Sequence, residues 1–310
     1  MICRGIAVVP FALAFHLFAP DVPAQGASPT ATASPARATR GSLLQADHAL
    51  STAARTRGIA AAFGEVLAPG SLFLYEGAPV VAGRDNILAL LGAQPVLAAI
   101  RVQWLPLVAA MSADGTLGAT YGVTAISPLP VPGDSAIRFG KYISTWRWNP
   151  TGAWQLVGHV EMGLTDAAVV IPAGLANATL LAGDPLSGTG APFARADIDF
   201  AKMAAASGAP AAFGAFAAPD AATLPGSGEI IIGPAAIRAR MLESSIATAK
   251  WDWRPVYAEA STRGDLGFTV GEATIKPPNS SDEYHSKYLT LWRRQPDGSI
   301  RFIVDGGNGR

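Results

Sequence analysis

The sequence predicts an α+β protein made of two copies of one domain, each with N-terminal helices packed on a curved antiparallel sheet. The first observation is an internal repeat, in which Ala46-Asp47 returns as Ala196-Asp197. Such self-similarity indicates that one folding unit occurs twice. The second observation is that helical spacing opens each copy and alternating strands follow it. Helices first and a meander afterwards are typical of an α+β layout.

The repeat consists of the same residue types in the same order, with changes of spacing only where turns belong. Ala61-Ala62-Phe63-Gly64 returns as Ala211-Ala212-Phe213-Gly214, and Lys141-Tyr142 returns as Lys287-Tyr288. Further matches are Gly58 with Gly208, Gly83 with Gly233, Ile87 with Ile237, Trp104 with Trp253, Gly115 with Gly264, Gly122 with Gly271, and Trp146-Arg147 with Trp292-Arg293.

The elements of the first copy follow from its apolar spacing. Leu43 to Leu67 has helical spacing with a break at Gly58, and a second, brief helix opens near residues 84–86. A short strand is predicted at about residues 71–75. Four longer strands are predicted at about residues 101–111, 117–126, 137–148 and 153–162, with Asp114-Gly115 and Thr151-Gly152 as turns. The second copy repeats this order from Ala194 to Asn308.

The N-terminus has the pattern of a secretory signal. Arg4 precedes an apolar run from Ile6 to Phe18, and Val22-Pro23-Ala24 is a plausible cleavage site. A membrane anchor is disfavoured because the run is short. We therefore expect a signal peptide over residues 1–24, a flexible tether over 25–41, the first domain over 42–163, a linker over 164–193 and the second domain over 194–310. The expected location is periplasmic or secreted.

Composition narrows the classes of partner. Lys plus Arg and Asp plus Glu number 23 each, so the formal charge is zero. This balance argues against a nucleic-acid surface, which needs a basic patch, and no membrane insertion is expected once the signal is cleaved. Cys3 is the only cysteine, so the mature chain has no disulfide, thiol nucleophile or thiolate metal site. A small apolar ligand and pairing of the two domains within the chain are the expected interactions.

These motifs resemble a known fold family. Each copy has a Trp-x-Pro strand, a Gly-x-Leu-Gly turn and a Lys-Tyr-x-x-x-Trp-Arg strand, most clearly from Trp253 to Asp305. The pattern is similar to the SnoaL-like and ketosteroid-isomerase-like domains of the nuclear-transport-factor-2-like fold, especially the group catalogued as domain of unknown function 4440. The resemblance covers nearly all of residues 42–163 and 194–308. It implies two cones, each a bent sheet wrapped around helices with a pocket at one end. Enzymes and non-catalytic binders share that fold.

Three carboxylates and a histidine are the candidate acid–base groups. His159 and Glu161 are two residues apart on a strand, where a carboxylate can orient an imidazole. Strict alternation places Gln155, Val157, His159 and Glu161 opposite Trp154, Leu156 and Val160, and we favour the solvent face for the pair. Asp47 and Asp197 recur on the first helix of each copy. We favour an exposed first-turn carboxylate over one that points inward.

Aromatic residues at strand positions are the candidate ligand contacts. Rings with a polar atom can line an apolar cavity, and those chosen are Tyr75, Trp104, Tyr142, Trp253, Tyr257 and Tyr288. Trp146 and Trp292 are assigned to the core. The histidines are too scattered to predict a metal site, and no phosphate-binding glycine loop or Gly-x-Ser-x-Gly motif predicts a cofactor or a serine nucleophile.

Three functions remain open from the sequence. The first is an exported small-molecule-binding protein whose two cones form a pseudo-dimer. The alternative is an isomerase, hydratase or hydrolase that acts on a small apolar substrate by acid–base catalysis in the first cone, with Asp47, His159 and Glu161 as candidates. The third is a structural or interaction module.

Overall fold

The computed structural model describes residues 38–129, 138–163, 170–172, 184–244 and 246–310. The first copy contains helices α1 (Arg40–Arg57), α2 (Ile59–Val66), α3 (Arg84–Gly92) and α4 (Pro95–Ala98). Its strands are β1 (Leu67–Leu74), β2 (Val81–Ala82), β3 (Ile100–Met111), β4 (Leu117–Pro128), β5 (Arg138–Trp148) and β6 (Trp154–Met162). They form one sheet in the order β2-β1-β6-β5-β4-β3. We call these elements the first cone.

The second copy has the same order of elements. Its helices are α5 (Ala191–Ser207), α6 (Ala209–Phe216) and α7 (Pro234–Leu242). Its strands are β7 (Ala217–Leu224), β8 (Ile231–Ile232), β9 (Lys250–Ala260), β10 (Leu266–Lys276), β11 (Tyr284–Arg294) and β12 (Ile300–Gly309). The sheet order β8-β7-β12-β11-β10-β9 repeats that of the first. We call these elements the second cone.

The predicted α+β fold with two cones is confirmed. In each cone the long first helix packs across the inner face of the sheet, against β3 and β4 or against β9 and β10. Neighbouring strands are antiparallel except for β1 with β6 and β7 with β12, which are parallel. Trp146 and Trp292 are fully buried, as predicted for core residues.

The helix boundaries have local causes. Thr39 caps α1, because its hydroxyl accepts a hydrogen bond from the Ser42 amide, and the Thr39 amide in turn donates to the Ser42 hydroxyl. Gly58 and Gly208 separate the first two helices of each copy. Their φ values are 89° and 83°, a backbone conformation that residues with a Cβ atom rarely adopt. The helices begin earlier than the predicted domain boundaries, at Arg40 within the tether and at Ala191 within the linker. The predicted signal peptide lies outside the described residues.

One prediction about strand faces is wrong. The β5–β6 register pairs Trp146 with Leu156 but Thr145 with Gly158, so Val157 is an extra residue in β6. Such a β-bulge inverts the alternation beyond it. His159 therefore lies opposite Ser144 and shares the inner face with Leu156, where strict alternation had separated them. The second cone repeats the shift, since Trp292 pairs with Phe302 and Leu291 with Val304.

The outer faces of the two sheets pack on each other. One apolar cluster combines Ile143 and Val160 of the first sheet with Phe268 and Leu289 of the second. Reciprocal bonds join the equivalent hairpin turns: the Ala113 amide donates to Asp265, and the Thr262 amide donates to the Thr116 hydroxyl. Arg147 also donates to Glu259 across this contact, from Nε at 2.7 Å. Reciprocity of this kind is typical of an isologous interface.

None of the helices in the described parts of the chain is long and apolar enough to cross a membrane.

Candidate functional site

Both cones contain the same buried network around the aspartate of the first helix. In the first cone the Tyr142 hydroxyl donates to Asp47 Oδ1 at 3.0 Å, and the Thr120 hydroxyl donates to Oδ2. Trp146 Nε1 donates to Thr120 at 3.1 Å. In the second cone the corresponding bonds are Tyr288 to Asp197 at 2.9 Å and Trp292 to Thr269 at 2.8 Å. The network joins the helix to the middle of the sheet.

The prediction that these aspartates are exposed is wrong, since Asp47 and Asp197 are each 1 % exposed. The face of the helix that carries Leu50 points into the cone, and the carboxylate lies on that face. Burial raises the pKa of Asp47, although the Thr120 and Tyr142 hydroxyls oppose the shift. Both copies have this arrangement, so in each cone it joins the first helix to the sheet.

The interior of the first cone is filled around His159. Its Nδ1 lies 2.9 Å from Ser144 Oγ, and its Nε2 lies 3.2 Å from Glu161 Oε1. The solvent-face prediction for the pair is wrong, because the bulge turns both residues inward and leaves His159 0 % and Glu161 6 % exposed. The pair is brought close to Asp47, since Tyr142 lies directly opposite Glu161.

Aromatic rings enclose the imidazole of His159. Phe73 stacks on it at 5.1 Å, Phe63 meets it edge-on at 5.0 Å, and Trp104 meets it at 6.0 Å. Trp104 Nε1 donates to Glu161 Oε1 at 2.8 Å. Glu161 Oε2 and the Tyr75 hydroxyl are buried without a hydrogen-bond partner. This interior therefore has polar groups, but side chains occupy the space around them.

The second cone contains a cavity of about 700 Å³. Its wall combines aromatic and aliphatic side chains with charged ones. The acidic residues on it are Asp197, Asp305, Glu76 and Glu243, and the basic ones are Arg240 and Lys287. Tyr288 and Thr290 are also on the wall, and Glu76, Met162 and Gly163 of the first cone contribute to it. The main apolar side chains of the wall are Phe200, Phe213, Ile237, Met241, Trp251 and Trp253.

Smaller side chains explain why the second cone has space where the first is filled. Asp305 replaces His159, because it lies opposite Thr290 as His159 lies opposite Ser144. The next inward position is Gly307, opposite Tyr288, where the first cone has Glu161. On the neighbouring strand, Thr223 stands beside Asp305 where Phe73 stands beside His159.

The equivalent tryptophans of the two cones also have different hydrogen-bond partners, because Gly307 stands at the position of Glu161. In the first cone Trp104 donates to Glu161, but Trp253 in the second cone donates from Nε1 to Asp197 Oδ1 at 2.9 Å. Asp197 thus accepts bonds from the Trp253 indole and the Tyr288 hydroxyl. Asp305 accepts one side-chain bond, from the Thr290 hydroxyl at 2.6 Å. Of these two carboxyl groups, Asp305 therefore has the greater free acceptor capacity.

Burial shifts the proton equilibria of the cavity. It raises the pKa of Asp197 to about 7, against the bonds from Thr269, Tyr288 and Trp253, with a further increase from the charge of Asp305. It raises the pKa of Asp305 to about 6, against the bond from Thr290. Burial also lowers the pKa of the Lys287 amine at the cavity wall to about 7. Carboxyl groups with a pKa near neutrality can accept and donate protons at physiological pH.

The predicted ligand residues fall into three places. Trp253 and Tyr288 line the cavity of the second cone. Tyr75, Trp104 and Tyr142 are buried in the first cone, at 2 %, 1 % and 0 % exposure. Tyr257 is on the outer face of the second sheet, where its hydroxyl donates to Glu259 at 2.8 Å beside Arg147.

Sequence reasoning missed Asp305 and Thr223 as site residues. Asp305 aligns with His159 in the repeat, and that alignment was the available signal. The β-bulge that both cones share turns the side chains of Asp305 and His159 inward, and no sequence motif predicts it. In the described residues no cluster of three or more His, Cys, Asp or Glu side chains has the geometry of a metal site.

Comparison with known proteins gives matches in structure only. No protein-family model matches the chain, and no curated protein matches it. A putative calcium/calmodulin dependent protein kinase II association domain from Xanthomonas campestris is 21 % identical, with a TM-score of 0.35, over 42 % of this chain and 94 % of that one. A putative ketosteroid isomerase from Parabacteroides distasonis is 20 % identical, with a TM-score of 0.32, over 37 % and 85 %.

An NTF2-like protein with a cystatin-like fold from Novosphingobium aromaticivorans is 14 % identical, with a TM-score of 0.32, over 38 % of this chain and 79 % of that one. Each of these similarities covers about the length of one cone.

Proposed function

We propose that this chain is an exported small-molecule-binding protein whose ligand site is the cavity of the second cone. The observation that carries the proposal is the cavity of about 700 Å³, whose mostly apolar wall includes the two buried carboxyl groups of Asp197 and Asp305. Ligand sites in proteins have volumes of about 300–1,000 Å³ and combine apolar walls with a few polar groups. The proposed ligand is small, mainly apolar and anchored by a polar group at Asp305. Export rests on the N-terminal signal pattern.

The first cone has a supporting role in this proposal. Phe73, His159 and Glu161 occupy the interior that is open in the second cone. Its outer sheet face packs on the second sheet, and Glu76, Met162 and Gly163 complete the cavity wall. The two cones act as a pseudo-dimer in which one copy binds and the other stabilises the binding copy.

An acid–base enzyme is the second candidate, and its site would be the second cone in place of the first. The observation that favours it is the pair of carboxyl groups on one cavity wall, with pKa values of about 7 for Asp197 and about 6 for Asp305. Asp305 would move the proton, and the Tyr288–Asp197 bond would hold the network in place. An isomerase, hydratase or hydrolase could use such a pair.

Titration calorimetry with naphthylmethanol, an apolar aromatic alcohol, tests the binding proposal. We expect one molecule bound per chain, because the first cone is filled. Two molecules per chain would contradict it, as would a failure to bind both this alcohol and naphthylmethylamine, the amine with the same ring system. For the enzyme candidate, proton exchange of carbonyl compounds in deuterated water is the direct assay. Asp305→Asn should abolish any exchange that the wild type catalyses, and Asp199→Asn on the exposed side of α5 is the control.

A further inference from the structure

Two buried carboxyl groups and one amide oxygen without a partner lie on the wall of the cavity of the second cone. The carboxyl groups are those of Asp197 and Asp305, and none of the ion pairs formed between described residues includes either of them. Asn308, which is 7 % exposed and also lines the cavity, has an Oδ1 without a partner. Its Nδ2 is committed to the carbonyl oxygens of Leu74 and Glu161, each at 2.7 Å, so the amide orientation is fixed.

Indole and phenyl rings line the same cavity as these acceptors. Trp251 and Trp253 meet edge to face at 6.4 Å, and Phe213 lies 6.2 Å from each of them. An aromatic ring attracts a cation to its face, and the attraction is greatest for tryptophan and for a desolvated cation. Carboxylates and indole rings both favour positive charge.

A buried carboxylate without a counter-ion is costly, and a bound cation would reduce that cost. A primary ammonium group has three donors and no acceptor. It can bond to Asp305 while the aromatic rings cover the attached carbon skeleton. A neutral alcohol supplies one donor and brings a further acceptor into a site that already has several.

We propose that the ligand of the second cone is an apolar amine, bound as its ammonium cation with Asp305 as the principal partner. This inference rests on the proposed binding function and specifies the ligand class of the same cavity. Asp197 contributes negative charge without a direct bond to the amine, since its oxygens already accept hydrogen bonds from Trp253 and Tyr288.

The pH dependence of binding should follow the charge of the cavity. Asp305 and Asp197 have pKa values of about 6 and about 7, so both become anionic between pH 5 and 8. Lys287, with a pKa of about 7, loses its positive charge over the same range. Both changes favour a cation at higher pH. The other ionisable groups on the cavity wall are Glu76, Arg240, Glu243 and Tyr288.

The experiment compares naphthylmethylamine with naphthylmethanol, which have the same ring system and nearly the same size. Titration calorimetry at pH 8 should give a Kd for the amine at least about tenfold lower than for the alcohol, a difference of about 1.4 kcal/mol. The ratio should fall as the pH is lowered to 5. Asp305→Asn should bring the two Kd values within about threefold, and Asp199→Asn should leave the ratio unchanged.

The outcomes separate this inference from the binding function. Equal or tighter binding of the alcohol at pH 8, in a wild-type protein that binds both, overturns the amine inference alone. Binding of neither compound contradicts the binding function as well. A preference for the amine that is the same at pH 5 and 8, or that survives Asp305→Asn, places the cation elsewhere and also overturns the inference. The pH series needs no variant, so it remains decisive if Asp305→Asn fails to fold.

Discussion

Phe73 and Thr223 occupy equivalent positions in the two sheets. Each lies on the strand parallel to the last strand of its sheet, where Phe73 pairs with His159 and Thr223 pairs with Asp305. The Phe73 ring stacks on His159 and fills the first cone, whereas Thr223 lines the cavity of the second. One repeated backbone therefore supports an interior packed with aromatic rings in one copy and a ligand-sized space in the other.

The stability of the second cone should depend on pH through Asp197. Its folded pKa of about 7 is above the ordinary carboxyl value of 3.8, so the folded state binds more protons than the unfolded state between these two pH values. Stability from this residue is present at low pH and is lost as the pH rises from 3.8 to about 7. In Asp197→Asn this loss is absent. Relative to wild type, the variant should gain about 4 kcal/mol in free energy of unfolding between pH 4 and 8.

Urea denaturation at a series of pH values measures this difference, and the constant effect of the amide cancels because only the change with pH is compared. Asp199→Asn, on the exposed side of the same helix, should run parallel to wild type. An Asp197→Asn profile that is also parallel to wild type would contradict a buried, protonated Asp197.

His159 should matter for stability and not for binding. His159→Ala removes contacts to Ser144 and Glu161 and leaves a void among Phe63, Phe73 and Trp104. The expected loss is about 2–4 kcal/mol in free energy of unfolding. Affinity for naphthylmethanol should stay within about twofold, because the ligand site is in the other cone. His285→Ala, at an exposed position of β11, is the control and should cost under about 0.5 kcal/mol. Loss of binding in His159→Ala, with the protein still folded, would place the site in the first cone.

The Arg147–Glu259 contact should stabilise the packing of the two cones. Glu259 is mostly buried, accepts two bonds from Arg147 and receives one from Tyr257. Glu259→Gln should lower the free energy of unfolding by about 1–2 kcal/mol, since bidentate charged bonds exceed exposed ones. The control is Glu65→Gln, which breaks the bidentate but exposed pair with Arg57 and should cost under about 0.5 kcal/mol. Equal effects of the two variants would show that the inter-cone pair adds nothing specific.

The sequence was sufficient for the repeat, the order of elements and most strand limits, because glycines, turn dipeptides and apolar spacing are local signals. It did not predict that the side chains of Asp47 and His159 point into the first cone. The first depends on how α1 lies across the sheet, and the second depends on the extra residue at Val157. A one-residue bulge reverses all faces beyond it, and no local pattern distinguishes it from regular alternation.

The location of the cavity was also beyond local reasoning. The same Tyr, Asp, Thr and Trp positions are present in both copies, and these are the residues that a motif detects. The difference between the cones lies in Phe73 against Thr223 and Glu161 against Gly307. Only the three-dimensional register shows that these exchanges face one shared interior.

The most direct test of the central claim is the affinity of Thr223→Phe for naphthylmethanol, measured by calorimetry beside the wild type. The new ring should cover Asp305 as Phe73 covers His159, and the affinity should fall at least about tenfold with little loss of stability. Thr52→Phe, the same exchange at an exposed position of α1, should bind as wild type does. Unchanged binding by a folded Thr223→Phe protein would contradict the assignment of the ligand site to the second cone.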